Sequence, residues 1–421
     1  MAKPKYTSHL GMTDLLPGEV EQWQKLEEII HQTAKLYHFQ EIRTPILEPT
    51  ELIARGIGQL TDIVSKEMFA FERGDTGYVL RPECTAPVVR AYIEHHLDQR
   101  GGTQQLYYIG PMFRAERPQK GRQRQFHQFG AEIFGTADPL ADAEIIMFMM
   151  AIYKRVGITN TRLKLNSVGD PESRARYKNA LQDYFRPRLE ELSDVSRNRF
   201  ESNPMRILDS KEKEDQGLIE CAPVITDFLN EETSEHYQKV KSHLDLLDIP
   251  YEEDPRLVRG LDYYTRTAFE LVSPDLGAQD ALGGGGRYDL LTEELGGPKT
   301  PAVGFASGME RLFIACRELG ISLADDPSVD VYLVTMGEEA RKWAVQRLGE
   351  LRERGFSATM DFAGKSIKAQ MKDANRQNAR YTLIIGENEL QNQKFTFRDM
   401  EASEEQELPF KEILNRLKPS N

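Results

Sequence analysis

The sequence of 421 residues contains only three cysteines, Cys84, Cys221 and Cys316. They are odd in number and far apart, and no Cys-x-x-Cys pair occurs among them. This spacing favours neither a disulfide framework nor a zinc or redox site. A reducing compartment is expected, and the cytoplasm is the predicted location.

Long apolar runs are also missing. The most apolar segment, Ile145 to Tyr153, is well short of the ~20 residues that cross a bilayer, and it predicts a buried helix. The first residues, Met1 to Leu10, have no apolar core and no small-residue cleavage site, so secretion is not predicted. These absences argue against a membrane protein, and no membrane partner is expected.

The chain lacks an excess of positive charge. It has 54 Lys and Arg residues against 67 Asp and Glu residues, which gives a net charge of −13. Most nucleic-acid binders are basic, so any contact with RNA must come from local patches. Hydrophobic residues make up 39% and charged residues 29%, a balance typical of globular chains, and the length allows two or three domains.

Hydrophobic patterns in the first three quarters of the chain predict an α+β domain. Helical spacing predicts a helix over Glu19 to Tyr37, and a β-prone stretch follows over Gln40 to Leu47. Leu106 to Phe113 and Gln125 to Gly135 predict two antiparallel strands joined by a long charged loop. A charged, helix-forming stretch at about 170–252 predicts a helical insertion.

Short strands are predicted again further along the chain. They cover Ala268 to Val272 and Ala302 to Ala306, on either side of the glycine tetrad Gly283 to Gly286, and a helix is predicted from Met309. The tetrad has neither the Lys-Ser/Thr of a P-loop nor the spacing of a dinucleotide fold. It favours close approach of the backbone to a small ligand.

After a linker at Ala324 to Ser328, strand and helix patterns alternate. This alternation predicts a small α/β domain with a largely parallel sheet. The predicted elements are Val329 to Val334, Ala340 to Arg354, Phe356 to Met360, Ser366 to Gln377 and Tyr381 to Gly386.

Three segments carry residues suited to chemistry. Phe113 to Phe129 has five basic residues against one acid and ends in an aromatic ring, which suits a polyphosphate and a base or, equally, a solvated loop. Leu257 to Thr265 combines an arginine with two tyrosines, and alone it fits a turn with packed aromatics. Gly304 to Leu312 places Arg311 in the first turn of a helix, where a surface arginine is the simpler interpretation.

Taken together, these segments resemble the class II aminoacyl-tRNA synthetases. Phe113-Arg114-Ala115-Glu116 is similar to the second motif of that class, and Gly308-Met309-Glu310-Arg311 is similar to the third. The stretch Arg43-Thr44-Pro45-Ile46-Leu47-Glu48 is similar to the first motif, usually a dimer element. The resemblance implies an antiparallel-sheet catalytic domain over residues 1–325, an anticodon-binding α/β domain over residues 326–421, and a homodimer.

Other segments resemble the histidine-specific branch of the class. Arg259 to Thr265 and Gly283 to Asp289 are similar to its two signature peptides, and Thr61 to Met68 and Leu80 to Glu83 also match. The resemblance therefore covers nearly the whole chain. It departs at Cys84, where glycine is expected, and at Leu10, where a basic residue is common.

The resemblance implies ATP-dependent ligation of L-histidine to its tRNA through a histidyl-adenylate, with release of AMP and diphosphate. ATP would be a substrate together with Mg²⁺, no tightly bound organic cofactor is expected, and the sequence does not identify metal ligands. The histidine carboxylate is ionised near neutral pH, so the first step needs alignment and charge neutralisation and no general base.

Site residues follow from the resemblance. Arg259 and Arg114 would be the catalytic cations, Arg114, Phe126 and Arg311 would bind ATP, and Tyr263 would line the histidine pocket. The ammonium group would be held by Glu83, Thr85 and Gln128, and the imidazole by Glu132 and Tyr264, with Arg259 on the carboxylate. For tRNA, the loop offers Arg117, Lys120 and Arg122, and a basic helix face offers Lys365, Lys368, Lys372, Arg376 and Arg380. That face could equally be solvated.

Two other functions are consistent with the same fold. One is a catalytically silent paralogue that acts as a regulatory subunit in histidine biosynthesis, but such relatives typically lose the motif arginines, and Arg114, Arg259 and Arg311 are present here. The other is a class II synthetase for a different amino acid, which would have other residues in the two signature segments.

Overall fold

The computed structural model describes residues 4–58, 61, 63–119, 121–258, 261–325 and 327–418. Its contacts divide the chain into two compact units. The first comprises Met1–Asp14 and Gln24–Leu323, and the second comprises Leu15–Trp23 and Ala324–Asn421. No helix in these described ranges is long and apolar enough to cross a membrane.

Among the described residues, ten α-helices and eleven strands precede residue 320. The helices are α1 (Val20–Leu36), α2 (Thr50–Ile57), α3 (Thr85–Glu94), α4 (Pro139–Val156), α5 (Pro171–Phe185), α6 (Asp194–Ser202), α7 (Lys213–Glu220), α8 (Glu231–Leu246), α9 (Leu291–Glu294) and α10 (Met309–Glu318). The strands are β1 (Gln40–Glu41), β2 (Leu47–Pro49), β3 (Phe69–Arg73), β4 (Thr76–Leu80), β5 (Gln104–Phe113), β6 (Gln125–Phe134), β7 (Arg162–Gly169), β8 (Tyr251–Glu253), β9 (Thr265–Val272), β10 (Ala281–Arg287) and β11 (Ala302–Gly308).

A large sheet forms the centre of the first unit. Its strand order is β1-β5-β6-β11-β10-β9-β7-β8, and all neighbours are antiparallel except the pairs β1–β5 and β7–β8. The predicted α+β class with a largely antiparallel sheet is therefore confirmed. The predicted hairpin-like pair is β5 and β6, which run in register from Gln104 opposite Phe134 to Phe113 opposite Gln125.

One predicted strand is divided between two sheets. In place of a single strand over Gln40 to Leu47, β1 pairs with β5 in the large sheet, while β2 joins a small sheet of order β2-β4-β3. Pro45 lies between them and has no N–H to donate, which explains why the chain leaves one sheet before it enters the other.

Apolar packing gives the sheet and the helical segment separate cores. Helix α4 is buried along most of its length, which confirms the helix predicted around Ile145 to Tyr153. Helices α5 to α8 lie between β7 and β8 in the sequence, and buried side chains of α5, α6 and α7, including Tyr177, Phe185 and Phe200, belong to a cluster of their own that contains no residue of α8. A helical segment with its own core thus interrupts the sheet.

The second unit has a smaller sheet. Its elements are β12 (Val331–Thr335), α11 (Glu338–Glu353), β13 (Ala358–Met360), α12 (Ile367–Arg376), β14 (Tyr381–Ile385), α13 (Glu387–Asn392), β15 (Phe395–Asp399), β16 (Glu404–Leu408) and α14 (Phe410–Arg416). The order is β13-β12-β14-β15-β16, with the first three strands parallel and the last two antiparallel. The prediction of a largely parallel sheet was incomplete, because the acidic edge strand β16 has no apolar pattern.

Candidate active site

Glycines allow strands β6, β10 and β11 to approach closely around one carboxylate. Glu132 on β6 stands opposite Gly304 on β11, where a Cβ would lie 1.6 Å from Glu132 Oε2. In the tetrad, a Cβ at Gly285 would lie 2.0 Å from the carbonyl oxygen of Gly304, and one at Gly286 would lie 2.9 Å from the Tyr264 ring. A side chain at any of these glycines would therefore overlap other atoms of the protein.

Glu132 is the centre of a buried hydrogen-bonded group. Thr85 Oγ1 donates to Glu132 Oε1 at 2.8 Å, and the Tyr288 hydroxyl donates to Oε2 at 2.5 Å. The carboxyl group is 1% exposed. Burial raises its pKa to about 8, against the opposing effect of the two hydroxyl donors. The two hydroxyl donors therefore fix the orientation of the carboxyl group.

Glu83 holds the first turn of α3. Its oxygens accept hydrogen bonds from the backbone N–H groups of Thr85, at 2.7 Å, and Ala86, at 2.9 Å. Burial raises the pKa of Glu83, while the Arg114 charge opposes this. Neighbouring Cys84 is buried too, and burial raises its pKa to about 12, so its thiol is protonated and unsuited to nucleophilic attack.

Three tyrosines line the same space. The ring centroids of Tyr263 and Tyr264 are 4.6 Å apart, and those of Tyr263 and Tyr288 are 5.6 Å apart. Burial raises the pKa of Tyr263 well above its usual value, so its hydroxyl stays protonated. Arg174 on α5 donates to the carbonyl oxygen of Tyr264 at 2.8 Å, which ties this segment to the helical segment.

The predicted ATP residues lie just after β5 (Arg114), on β6 (Phe126) and on helix α10 (Arg311). The guanidinium carbon of Arg114 is 5.2 Å from the centroid of the Phe126 ring, and Arg114 Nε donates to the carbonyl oxygen of Pro82 at 3.0 Å. On α10, Arg311 Nη1 donates to the carbonyl oxygen of Ala281 at 2.9 Å. Burial lowers the pKa of both arginines, but both remain cations.

Gln128 has an unsatisfied acceptor. Its Oε1 is buried and has no hydrogen-bond partner within the part of the chain that the structure describes. An unpaired buried polar atom is costly, so this amide is suited to a ligand that brings a donor. Beside it on β6, His127 donates its backbone N–H to Glu310 at 2.9 Å.

The structure groups most of the predicted site residues. Hydrogen bonds join Thr85 to both Glu83 and Glu132. Arg259, the principal predicted cation, lies outside the described residues, as does Lys120. Among the described side chains, no group of three or more His, Cys, Asp or Glu could hold a metal ion.

The sequence does not identify two residues of the site, Tyr288 and Tyr108, as individual site residues. Tyr288 belongs to the signature segment Gly283 to Asp289, so its position was already marked, but its bond to Glu132 needs the fold. Tyr108 on β5 is buried, and a Cβ at Gly130 would lie 2.4 Å from its hydroxyl. No motif in the sequence contains Tyr108.

The residues predicted to bind tRNA differ in their exposure and in their ion pairs. Arg117 is exposed, and Arg122 forms an ion pair of 3.3 Å with Glu116. Lys365 precedes α12, and Lys365 and Arg376 both pair with Asp373, at 2.5 and 2.8 Å. Lys368 and Lys372 are exposed on α12, and no ion pair is found for them among the described residues.

Comparisons with known proteins agree across the chain. Residues 11–312 match the family model described as histidyl-tRNA synthetase, and residues 330–419 match the anticodon binding domain. The chain is 48% identical over 410 residues to a histidine–tRNA ligase of Natranaerobius thermophilus, covering 97% of each sequence. It is 46% identical over 417 residues to the histidine–tRNA ligase of Bacillus subtilis, covering 98% of each.

Solved structures give the same result. The apo histidyl-tRNA synthetase of S. aureus is 40% identical, superposes with a TM-score of 0.82, and the match covers 99% of each chain. A Bacillus halodurans protein described as an ATP phosphoribosyltransferase regulatory subunit/histidyl-tRNA synthetase is 22% identical, with a TM-score of 0.66, covering 91% of this chain and 99% of that one. The second likeness shows the fold alone.

Proposed function

Because this chain belongs to the histidyl-tRNA synthetase family and is a histidine–tRNA ligase of class II, we propose roles in that reaction for the side chains around Glu132. The reaction uses ATP to form a histidyl-adenylate and then transfers the histidyl group to tRNA. The observation that carries the proposed site is the buried carboxyl group of Glu132, oriented by two hydroxyl donors.

Glu132 recognises the imidazole ring of histidine by a hydrogen bond. Thr85 and Tyr288 each use one lone pair of its oxygens, so the carboxyl group keeps hydrogen-bonding capacity for one imidazole nitrogen, and Tyr264 serves the other ring nitrogen. A site built to hydrogen-bond a polar group rejects analogues that lack it by about 10⁴-fold or more. Specificity for histidine follows from this geometry.

The ammonium group of histidine is bound by Gln128 together with Glu83 and Thr85. The unpaired Oε1 of Gln128 supplies an acceptor, and Glu83 supplies a carboxylate whose lone pairs are only partly used by α3. Arg259 neutralises the histidine carboxylate, which attacks the α-phosphate of ATP. This step needs no general base, because the carboxylate is already ionised.

Arg114 and Arg311 neutralise the charge on the phosphates of ATP, and Phe126 stacks on adenine. Mg²⁺ enters with ATP and supplies further neutralisation of the phosphate oxygens. Burial lowers the pKa of Arg311 and the charge of Glu270 opposes this, so an oxygen donor of the type that Mg²⁺ prefers is near the phosphate-binding arginine. Alignment and electrostatics account for catalysis of this step.

Residues 1–325 act as the catalytic domain, and residues 326–421 bind the anticodon. We assign phosphate contacts of the tRNA to Arg117, Lys120 and Arg122 in the loop and to Lys368 and Lys372 on α12, with Lys365 and Arg376 beside them. The enzyme works as a homodimer in the cytoplasm. A regulatory paralogue does not explain the complete second domain or the identity to ligases over nearly the whole chain.

Amino-acid-dependent exchange of labelled pyrophosphate into ATP tests this function. The unmodified protein is expected to support exchange with histidine alone among the standard amino acids. Arg259→Ala is expected to abolish it, and Arg55→Ala, at an exposed position on α2, serves as the matched control. Exchange with another amino acid, or with none, would contradict the proposal.

A further inference from the structure

Arg287 is fully buried among oxygen acceptors directly behind the site. Its Nη2 and Nε donate to Asp142 on α4, the latter at 3.1 Å, and Nη1 donates to Asp289 Oδ1 at 3.1 Å. The carbonyl oxygens of Thr136 and Asp138 accept at 2.9 and 3.2 Å. Although burial opposes ionisation of Asp142, the charge of Arg287 holds the Asp142 pKa well below its usual range.

His236 from α8 completes a closed ring of side chains. Its Nε2 lies 3.4 Å from Asp142 Oδ1, and its Nδ1 lies 3.4 Å from Nη1 of Arg266. Arg266 Nε is 3.6 Å from Asp289 Oδ2, and Asp289 returns to Arg287. We call Arg287, Asp142, His236, Arg266 and Asp289 the buried ring; the first three are buried, and Arg266 and Asp289 are at its partly exposed side.

The contacts of His236 indicate which of its two ring nitrogens donates. Arg266 can only donate, so Nδ1 of His236 accepts and Nε2 carries the proton that points to Asp142. The two arginines pair with Asp142 and Asp289, and Arg266 also pairs with Glu232. Each buried charge of the ring thus has a partner, as burial of a charge requires.

The buried ring holds both signature segments. The backbone N–H of Asp289 donates to Thr265 Oγ1 at 3.1 Å, next to Tyr264 in the chain. Between Arg287 and Asp289 stands Tyr288, whose hydroxyl donates to Glu132. Fixing Arg287 and Asp289 therefore fixes the backbone that aims this hydroxyl.

The helical segment also contacts Arg266, which follows the first signature segment in the chain. Arg266 has a left-handed backbone with φ of 53°, which is unfavourable for a residue with a side chain. Glu232 on α8 forms an ion pair of 2.5 Å with it, so α8 contributes both Glu232 and His236 to keep this conformation. Strain of this kind persists only where surrounding contacts enforce it.

We propose that His236 is a positioning residue for histidine recognition, acting through the buried ring to hold the Tyr288 hydroxyl on Glu132. The inference rests on the proposed histidine site and gives the helical segment a part in amino-acid selection. His236 touches no substrate atom in this scheme; it completes the contacts that fix the second signature segment.

Steady-state pyrophosphate exchange on the full-length protein tests the proposal with His236→Leu, His236→Gln, Tyr288→Phe and the double variant His236→Leu/Tyr288→Phe. His236→Leu is expected to raise the KM for histidine about tenfold, the effect of losing about one hydrogen bond, while the KM for ATP is unchanged. Glutamine can donate and accept at similar positions, so His236→Gln should restore most of the KM. His243→Leu, on the same helix, is the matched control.

The double variant decides whether Tyr288 carries the effect. If it does, adding His236→Leu to Tyr288→Phe raises the KM for histidine by less than about twofold, because the two changes remove the same interaction. Independent multiplication of the two effects, or equal rises in the KM for ATP, would overturn the proposal. If His236→Leu fails to fold, Arg266→Gln, at a side chain that is 20% exposed, replaces it with the same expectations. Failure of the unmodified chain to use histidine would instead refute the function itself.

Discussion

Two fully buried carboxyl groups in this molecule have opposite titration behaviour. Glu132 accepts from the neutral hydroxyls of Thr85 and Tyr288, and burial raises its pKa to about 8. Asp142 is equally buried, but the Arg287 charge outweighs burial and lowers its pKa. A full counter-charge compensates for lost hydration, whereas neutral donors do so only in part.

The raised pKa of Glu132 predicts a pH-dependent stability. In the unfolded chain the group ionises around 4.5, but in the folded chain it stays protonated up to about 8. Its contribution to the free energy of unfolding is therefore fully present below about pH 4.5 and is lost as pH rises through about 8. The stability of the unmodified protein relative to Glu132→Gln should fall between these values. Urea denaturation across this range measures the difference; a constant gap would contradict the prediction.

Gly304 gives a second prediction at the residue scale. Gly304→Ala places a methyl group in the position of Glu132 Oε2, so the carboxyl group must move or the strands must separate. We expect the free energy of unfolding to fall by about 2 kcal/mol or more, as overpacking does elsewhere. Thermal denaturation measures the loss, and Gly308→Ala on the same strand is the control. A Cβ at Gly308 would have no neighbouring atom within 4 Å. Equal loss in both variants would show that packing at Glu132 is not the cause.

Among the elements, α12 has two kinds of basic side chain. Lys365, just before the helix, is tied to Asp373, while Lys368 and Lys372 are exposed. If α12 faces tRNA phosphates, Lys368→Ala and Lys372→Ala should each weaken tRNA binding and reduce its salt dependence by about one counterion. Pyrophosphate exchange should be unchanged, and Lys342→Ala on α11 is the control. Filter binding at several salt concentrations measures the effect, and unchanged slopes would remove α12 from the interface.

One buried aspartate of the inserted segment accepts hydrogen bonds from three serines in and beside α6 and α7. Asp215 on α7 accepts hydrogen bonds from the backbone N–H of Ser193 and from the hydroxyls of Ser193, Ser196 and Ser210. Asp215→Ala leaves these donors unpaired, and we expect a loss of about 3 kcal/mol in the stability of this segment. Faster cleavage in limited proteolysis should appear within residues 171–246, and Glu214→Ala, at an exposed neighbouring position, should resemble the unmodified protein.

At the scale of the whole molecule, β2 offers a surface for assembly. It is an edge strand that pairs only with β4 among the described strands, and Ile46 and Leu47 are 42% and 40% exposed. Apolar side chains on an open edge favour pairing with another chain. We expect a dimer in sedimentation velocity, with Leu47→Glu shifting it to monomer. Leu246→Glu, at a side chain that is 80% exposed, should remain a dimer.

The sequence by itself determined the class of fold and, through its resemblance to a known family, the segments proposed to carry the site. Glycine, arginine and tyrosine spacing in Phe113 to Phe129, Leu257 to Thr265 and Gly283 to Asp289 is local information, readable without a fold. Periodicity likewise predicted α4 and the pair β5 and β6, because each pattern repeats within one element.

Only the tertiary structure decided which side chains meet. The bond from Tyr288 to Glu132 and the contact of His236 with Asp142 join residues 156 and 94 positions apart. The need for glycine at residue 304 likewise comes from Glu132 on the facing strand. Strand register and helix packing create such contacts, and burial then sets the pKa of the groups they enclose. Neither the contacts nor the pKa shifts can be predicted from a sequence pattern, because both depend on neighbours from distant parts of the chain.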